Sequence, residues 1–285
     1  MVGSMRRIAL ACAALAAAVW SSISGCACTH QTIPRPYAAP TVEQLLAHVR
    51  ESGEAARSYN AESTMDYWVG DQRIKATVLV MGERGAKVFF KAMNPATDTA
   101  AADLVCNGQS FVFVDYEHSC QLGGQCDRRA IGQLLRVSME PDDFLLLATG
   151  SVPLIPQPTG TVRWDQDRGA EVVELVSPDR AWRQTLVLDG RNGSGQWDVI
   201  ESVVRDGQGA VDWKVQNKSF RPLRAADGKI IRVPNATHFE QPKQKADLQV
   251  RWKERTLNGA LNQVAFQREA PAGLQQCGAR RRARQ

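Results

Sequence analysis

Apolar residues recur along this chain with two different periods, and the change of period divides it into elements. Val42, Leu45, Leu46 and Val49 fall at i, i+3, i+4 and i+7, the spacing of a single helical stripe. Thr41 and Gln44 stand at capping-box spacing, so a helix is predicted to start after Thr41, one face on a sheet and the other in water. From Asn60 the period drops to two. Ile74, Ala76, Val78 and Val80 alternate with Lys75, Thr77, Leu79 and Met81, so this strand is apolar on both faces. Val88 to Phe90 and Phe111 to Val114, with Phe113 in the latter, read the same way. Asn107-Gly108 between them is a hairpin signal, because both positions tolerate positive φ. Together these predict the middle of a sheet covered on both sides.

Asp127 to Pro156 breaks the strand pattern. Asp127 is placed to cap a helix carrying Ala130, Ile131, Leu134 and Leu135. Pro141 suits the first turn of a second short helix that stops at Gly150. That helix holds Phe144, Leu145, Leu146 and Leu147 in succession, followed by Val152, Leu154 and Ile155. Four consecutive large apolar residues cover most of a helix's circumference, so something must pack on both sides of it.

After Thr161 the period of two returns, punctuated by Asp167-Arg-Gly169, Asp189-Gly190, Asn192-Gly193, Asp206-Gly207 and Asp227-Gly228. Val211, Trp213 and Val215, and later Leu248, Val250 and Trp252, alternate with polar residues, as in antiparallel strands with one wet face. The expected class is α+β, mostly β. It would be a single curved antiparallel half-open barrel of about eleven strands, with an N-terminal helix and a central helical lid or plug. Its domain would run over residues 41–267.

The first 25 residues have a different composition. Arg6 and Arg7 precede an unbroken apolar run from Ile8 to Val19, too short to span a bilayer stably. Ile23-Ser24-Gly25-Cys26 then resembles the lipobox of bacterial lipoproteins, which makes residues 1–25 a lipoprotein signal peptide and Cys26 the lipidation site. Ala27 is neutral, so the acidic inner-membrane retention signal is absent; the outer membrane, periplasmic face, is the expected location. Residues 26–40 contain three prolines and little periodicity, and read as a lipid-anchored tether.

Charge changes this picture little. The net charge is +5, and the signal would take two arginines with it, so nothing calls for a nucleic-acid partner. Part of the excess sits at Arg280, Arg281, Arg282 and Arg284, in residues 268–285, read as a basic disordered tail able to attract anionic head groups. Of the 7 cysteines, Cys12 leaves with the signal and Cys26 carries the anchor. Cys28, Cys106, Cys120, Cys126 and Cys277 remain, an odd set in an oxidising compartment. The two glycines in Cys120-Gln-Leu-Gly-Gly-Gln-Cys126 would let the chain fold back, so a local Cys120–Cys126 disulfide is the expectation. His118 with Cys106, Cys120 and Cys126 matches no zinc module's spacing, and no metal or other cofactor is expected.

Candidate chemistry is sparse. There is no phosphate-binding glycine loop, no Gly-x-Ser-x-Gly elbow and no His-Glu-x-x-His. His30, His48, His118 and His238 lie far apart, and Asp142-Asp143 reads as acids at a helix N-terminus. No catalytic residue is assigned, and the chain reads as a non-enzyme.

The order lipobox, tether, amphipathic helix, strand meander, apolar helical insertion and second meander resembles the LolA/LolB superfamily of lipoprotein carriers, over about residues 41–267. The most telling stretch is Asn107-Gly108-Gln-Ser-Phe-Val-Phe-Val-Asp-Tyr followed by Asp127 to Ile155. The resemblance implies an acyl-chain cavity closed by helices, and a lipid-anchored member of the outer-membrane type. Leu134, Leu135, Phe144, Leu145, Leu146, Leu147, Leu154 and Ile155 would then form the lid, facing Val78, Val80, Phe90, Phe111 and Phe113. The partners implied are the membrane, acyl chains or acylated lipoproteins. The other reading is an envelope scaffold with a filled core that binds another envelope protein.

Overall fold

A computed structural model describes residues 32–278 apart from Gly70. Cys26, Cys28, His30, the export signal and the arginines after 278 lie outside the described residues. From Pro34 onward the chain forms one compact unit.

Helix α1 (Val42–Ala55) begins as predicted: Thr41 Oγ1 accepts from the Gln44 N–H at 3.3 Å, and Gln44 Oε1 accepts from the Thr41 N–H at 2.9 Å. Leu45, Leu46 and Val49 are its buried stripe. Strands β1 (Ser58–Val69) and β2 (Gln72–Glu83) form a long hairpin, extended by β3 (Lys87–Met93), β4 (Ala100–Asn107), β5 (Ser110–Asp115) and β6 (Cys120–Gln125). Helices α2 (Arg128–Leu135) and α3 (Pro141–Thr149) follow. The second meander is β7 (Thr159–Asp165), β8 (Ala170–Val176), β9 (Trp182–Asp189), β10 (Asp198–Asp206) and β11 (Val211–Lys218). β12 (Arg221–Arg224) and β13 (Ile230–Val233) make a separate ribbon, after which β14 (Ala236–Gln241) and β15 (Ala246–Leu257) return to the main sheet. β16 (Gln275–Gln276) adds in parallel beside β6.

The two meanders join through β15, which pairs with β1 on one side and β14 on the other. The order β16-β6-β5-β4-β3-β2-β1-β15-β14-β11-β10-β9-β8-β7 makes one open sheet of 14 strands, where about eleven were expected. β4 opens on Ala-Ala-Ala-Asp and β6 is Cys-Gln-Leu-Gly-Gly-Gln; neither carries the β-branched alternation that marks a strand. The hairpin at Asn107-Gly108 therefore joins β4 to β5 rather than β3 to β5, with Gly108 at φ 96°.

Curvature follows from the reach of α1. At 14 residues the helix is about 21 Å long. It touches β7, yet its Gly53 carbonyl accepts a hydrogen bond from Arg84 at the end of β2. Those two strands are eight places apart in the sheet, about 38 Å if it were flat. The sheet wraps around the helices, and one core cluster draws on both meanders and all three helices. On the convex side Phe89, Val105 and Phe266 form a smaller cluster with Met81 and Leu261, so β2 to β4 are covered on both faces as their composition requires.

The cysteine expectation is corrected. Cys106 pairs with Cys126 and Cys120 with Cys277. The segment between Cys120 and Cys126 is extended as β6, which sets its ends about 20 Å apart, well beyond the 5–6 Å a disulfide needs. Both ends of the domain are also tied down further than expected. Arg268 pairs with buried Asp103 at 2.8 Å and Cys277 is bonded to β6, so residues 268–277 are no loose tail. Within the region read as tether, Arg35 pairs with fully buried Glu171 at 2.8 Å and lies over the Trp164 ring. Tyr37 packs edge-on against Trp164 and Trp197. Residues 34–278 thus hold the described core and both disulfides, and fold as a unit of their own.

Candidate functional site

The concave face is where the predicted cavity residues meet. Val78 and Val80 on β2, Phe90 on β3, and Phe111 and Phe113 on β5 are all buried there in the main cluster. Leu134 and Leu135 on α2, Phe144, Leu145 and Leu147 on α3, and Ile155 are buried in the same cluster, with Leu154 half-buried against it. Asp127 caps α2 by accepting from the Arg129 N–H at 2.8 Å, and Gly150 closes α3 at φ 85°.

The apolar run on α3 is resolved by packing on two sides. Phe144 points into the sheet, its ring 4.9 Å from Phe90 and 6.3 Å from Trp252 between centroids. Leu146 faces α1 instead. A methyl added at Gly53 would stand 2.8 Å from Leu146 Cδ2, which shows how closely α1 and α3 approach there. In this conformation the helices occupy the concave face, and the space left is at its rim.

Two adjacent depressions lie where α2 turns into α3. An open groove of about 780 Å³ is lined by Trp68, Arg128, Arg129, Gly132, Gln133, Arg136, Val137, Ser138, Gln244 and Lys245. It shares Arg128, Ser138 and Gln244 with a slot of about 90 Å³. The slot leads inward past Met139, Asp143, Leu147, Trp213 and Phe239. Gln241 at the slot clips the connection between the helices: its Oε1 accepts from the Ser138 N–H and its Nε2 donates to the Ser138 carbonyl, both at 2.8 Å.

The helix-start acids have separate tasks. Asp142 reaches the turn after β2, accepting from the Ala86 N–H at 2.9 Å and the Gly85 N–H at 3.3 Å. Asp143 is half-buried in the slot; burial pushes its carboxyl up to about 6, Glu140 adds to the rise, and Arg128 opposes it. Because the folded form holds this proton more tightly than the unfolded chain, its ionisation lowers stability as pH rises from about 4 through about 6. Asp143→Asn should therefore raise stability above pH ~6 by about 1 kcal/mol, after discounting for solvent screening and the lost helix-dipole contact, and by nothing at pH ~4. Thermal melts at the two pH values check this; an equal gain at both would mean the carboxylate is not strained.

At the far end of α3, Arg255 is buried and, among the described residues, has no carboxylate partner. It donates to the Ala148 and Pro234 carbonyls and lies over the Trp252 ring, and burial lowers its pKa to about 10. Its charge meets the negative end of the helix dipole. None of Trp68, Arg136, Gln241, Lys245 or Arg255 carried a signal in the sequence, since each acts through a partner more than 50 residues away or through a surface that only the fold assembles. Among the described residues, His48, His118 and His238 stay apart, and no group of three or more His, Cys, Asp or Glu is placed to hold a metal. No described helix is long and apolar enough to cross a membrane.

No family model and no curated protein matches the chain. Solved structures do. A LolA superfamily protein from Nitrosomonas europaea superposes with a TM-score of 0.50 at 12% identity, covering 80% of this chain and 98% of that one. The fold is LolA-like. At architecture level this agrees with the element order read from the sequence, a meander on each side of a helical insertion. A DUF1329 family protein from Desulfovibrio piger aligns over 78% of this chain and 96% of its own, at 11% identity and a TM-score of 0.49. A domain described as an outer membrane lipoprotein-sorting protein, from Vibrio parahaemolyticus, aligns over 79% and 96% at 10% identity, also with 0.49.

Proposed function

We propose that this protein is a non-enzymatic envelope lipoprotein, anchored through Cys26 at the periplasmic face of the outer membrane, that binds acyl chains of lipids or of acylated lipoproteins in the interior of its LolA-like sheet. The observation that carries this reading is the concave face itself. It is lined by Val78, Val80, Phe90 and Phe113 and covered by two short helices, with an inward-leading slot at their corner. Each methylene moved from water into such a surface contributes about 0.8 kcal/mol, so a chain of ordinary length would bind strongly if the helices yield their place.

The second reading, a scaffold with a permanently filled core, is favoured by one specific observation: Phe144, Leu145 and Leu147 already occupy that face, each under 5% exposed. Mass spectrometry of the protein purified gently from envelopes separates the two. Under native conditions the carrier should keep a fraction with one added lipid or fatty-acid mass; under denaturing conditions only the covalent diacylglyceryl mass on Cys26 should remain. A clean unliganded mass across several preparations would leave the scaffold. An unmodified Cys26 would remove the anchor from either reading.

A further inference from the structure

We infer that the groove between α2 and the β1–β2 hairpin is a docking surface for the anionic phospholipid headgroups of a bilayer. Four cations line it, Arg128, Arg129, Arg136 and Lys245, and no acid does. Two are matched from outside it: Arg129 by Asp127 at 2.8 Å and Arg128 by Glu140 at 3.5 Å. Among the described residues, Arg136 and Lys245 have no ion-pair partner, which leaves them to an external anion. Both sit on non-glycine backbone in the left-handed region, φ 59° and 53°, as the residues that end α2 and the short 3-10 turn after β14. Trp68 lines the same groove, 37% exposed, with the Arg73 guanidinium, itself paired with Asp66 at 2.6 Å, 5.7 Å from its ring centroid. An exposed indole in a groove lined by cations suits the boundary between headgroups and acyl chains, where its apolar body and polar N–H both find partners. Gln133, Ser138 and Gln244 add hydrogen-bonding groups for phosphate or glycerol oxygens.

The location adds a second argument. The groove and the slot share Arg128, Ser138 and Gln244 as walls, so a bilayer seated on the groove would lie beside the slot. The inference rests on the envelope location proposed above, but it is tested independently of acyl occupancy. The 34–278 fragment is the right material, because it folds as a unit and leaves out Arg280, Arg281, Arg282 and Arg284, which would bind acidic vesicles on their own.

In a vesicle sedimentation assay this fragment should bind phosphatidylglycerol–phosphatidylethanolamine vesicles, pass over phosphatidylcholine vesicles, and release as salt rises. Arg136→Gln with Lys245→Gln should weaken binding about 30-fold, roughly fivefold for each cation removed. Arg136→Lys with Lys245→Arg should keep it, which guards against a folding defect in the first pair. Arg50→Gln with Arg183→Gln, removing two exposed cations elsewhere, should change it less than about twofold. Equal losses from the groove pair and the distant pair would overturn the inference, since binding would then be diffuse attraction. So would equal binding to neutral vesicles. Groove-dependent capture of polyglutamate with no vesicle binding would also overturn it, making the groove a protein site. Native mass spectrometry of the same fragment reports on the carrier reading separately, whichever way the vesicles behave.

Discussion

Phe144→Ala is expected to destabilise the domain by about 3–5 kcal/mol, measured by urea unfolding of the 34–278 fragment. The ring is 2% exposed and stands within aromatic contact distance of Phe90, Tyr59 and Trp252. Removing it takes apolar surface out of the core and leaves a cavity bounded by three other rings. Those neighbours sit on β1, β3 and β15, in the middle of the sheet, where backbone cannot collapse to fill the gap. The size of the loss also reports on how the helices behave. A helix that spends much of its time lifted from the sheet would register under about 1 kcal/mol, because Phe144 would then make few of these contacts in solution. A full loss shows that the closed arrangement is the resting state, which any acyl chain must displace.

Much of this packing was legible in the sequence, for a physical reason. The capping box at Thr41, the cap at Asp127, Pro141 at a first turn and Gly150 at a helix end are local signals, each settled within four residues. The alternation of Leu248, Val250 and Trp252 likewise declares which face of β15 is buried. What escaped notice was what depends on distant chain segments meeting. β4 and β6 are strands because their neighbours pair with them, not because Ala-Ala-Ala or Gly-Gly favours extension. The Cys120-to-Cys126 spacing looked like a closed loop, but strand pairing stretches it open and hands each thiol to another partner. The basic rim groove combines residues from 68 to 245, and no window of sequence shows it.

Replacing both Cys120 and Cys277 by alanine should lower stability by about 3–5 kcal/mol, because this bond spans 157 residues and limits the unfolded chain accordingly. Only two residues of β16 pair with β6, so hydrogen bonding alone cannot hold the C-terminal segment once the bond is gone. Its release should also free Arg268 from Asp103, a carboxylate 2% exposed that accepts from the Tyr116 hydroxyl at 2.9 Å. Urea unfolding of the double variant and hydrogen exchange along β5 and β6 check both consequences. A loss below about 1 kcal/mol with unchanged exchange would mean the segment is docked by other contacts.

The placement of the other disulfide limits how the helical pair can move. Cys126 precedes the cap of α2 and is bonded to Cys106 on β4, so that end of the pair is riveted to the sheet. At the opposite end, Arg255 on β15 holds the last turn of α3 through the Ala148 carbonyl. A cover fixed at both ends cannot swing like a door. Its middle is residues 136–140, held by Val137 and Met139 in the core and by Gln241, whose amide makes two hydrogen bonds to Ser138. Opening the slot there therefore takes release of Ser138 by Gln241 together with withdrawal of Val137 and Met139 from the core, while both ends of the pair stay seated.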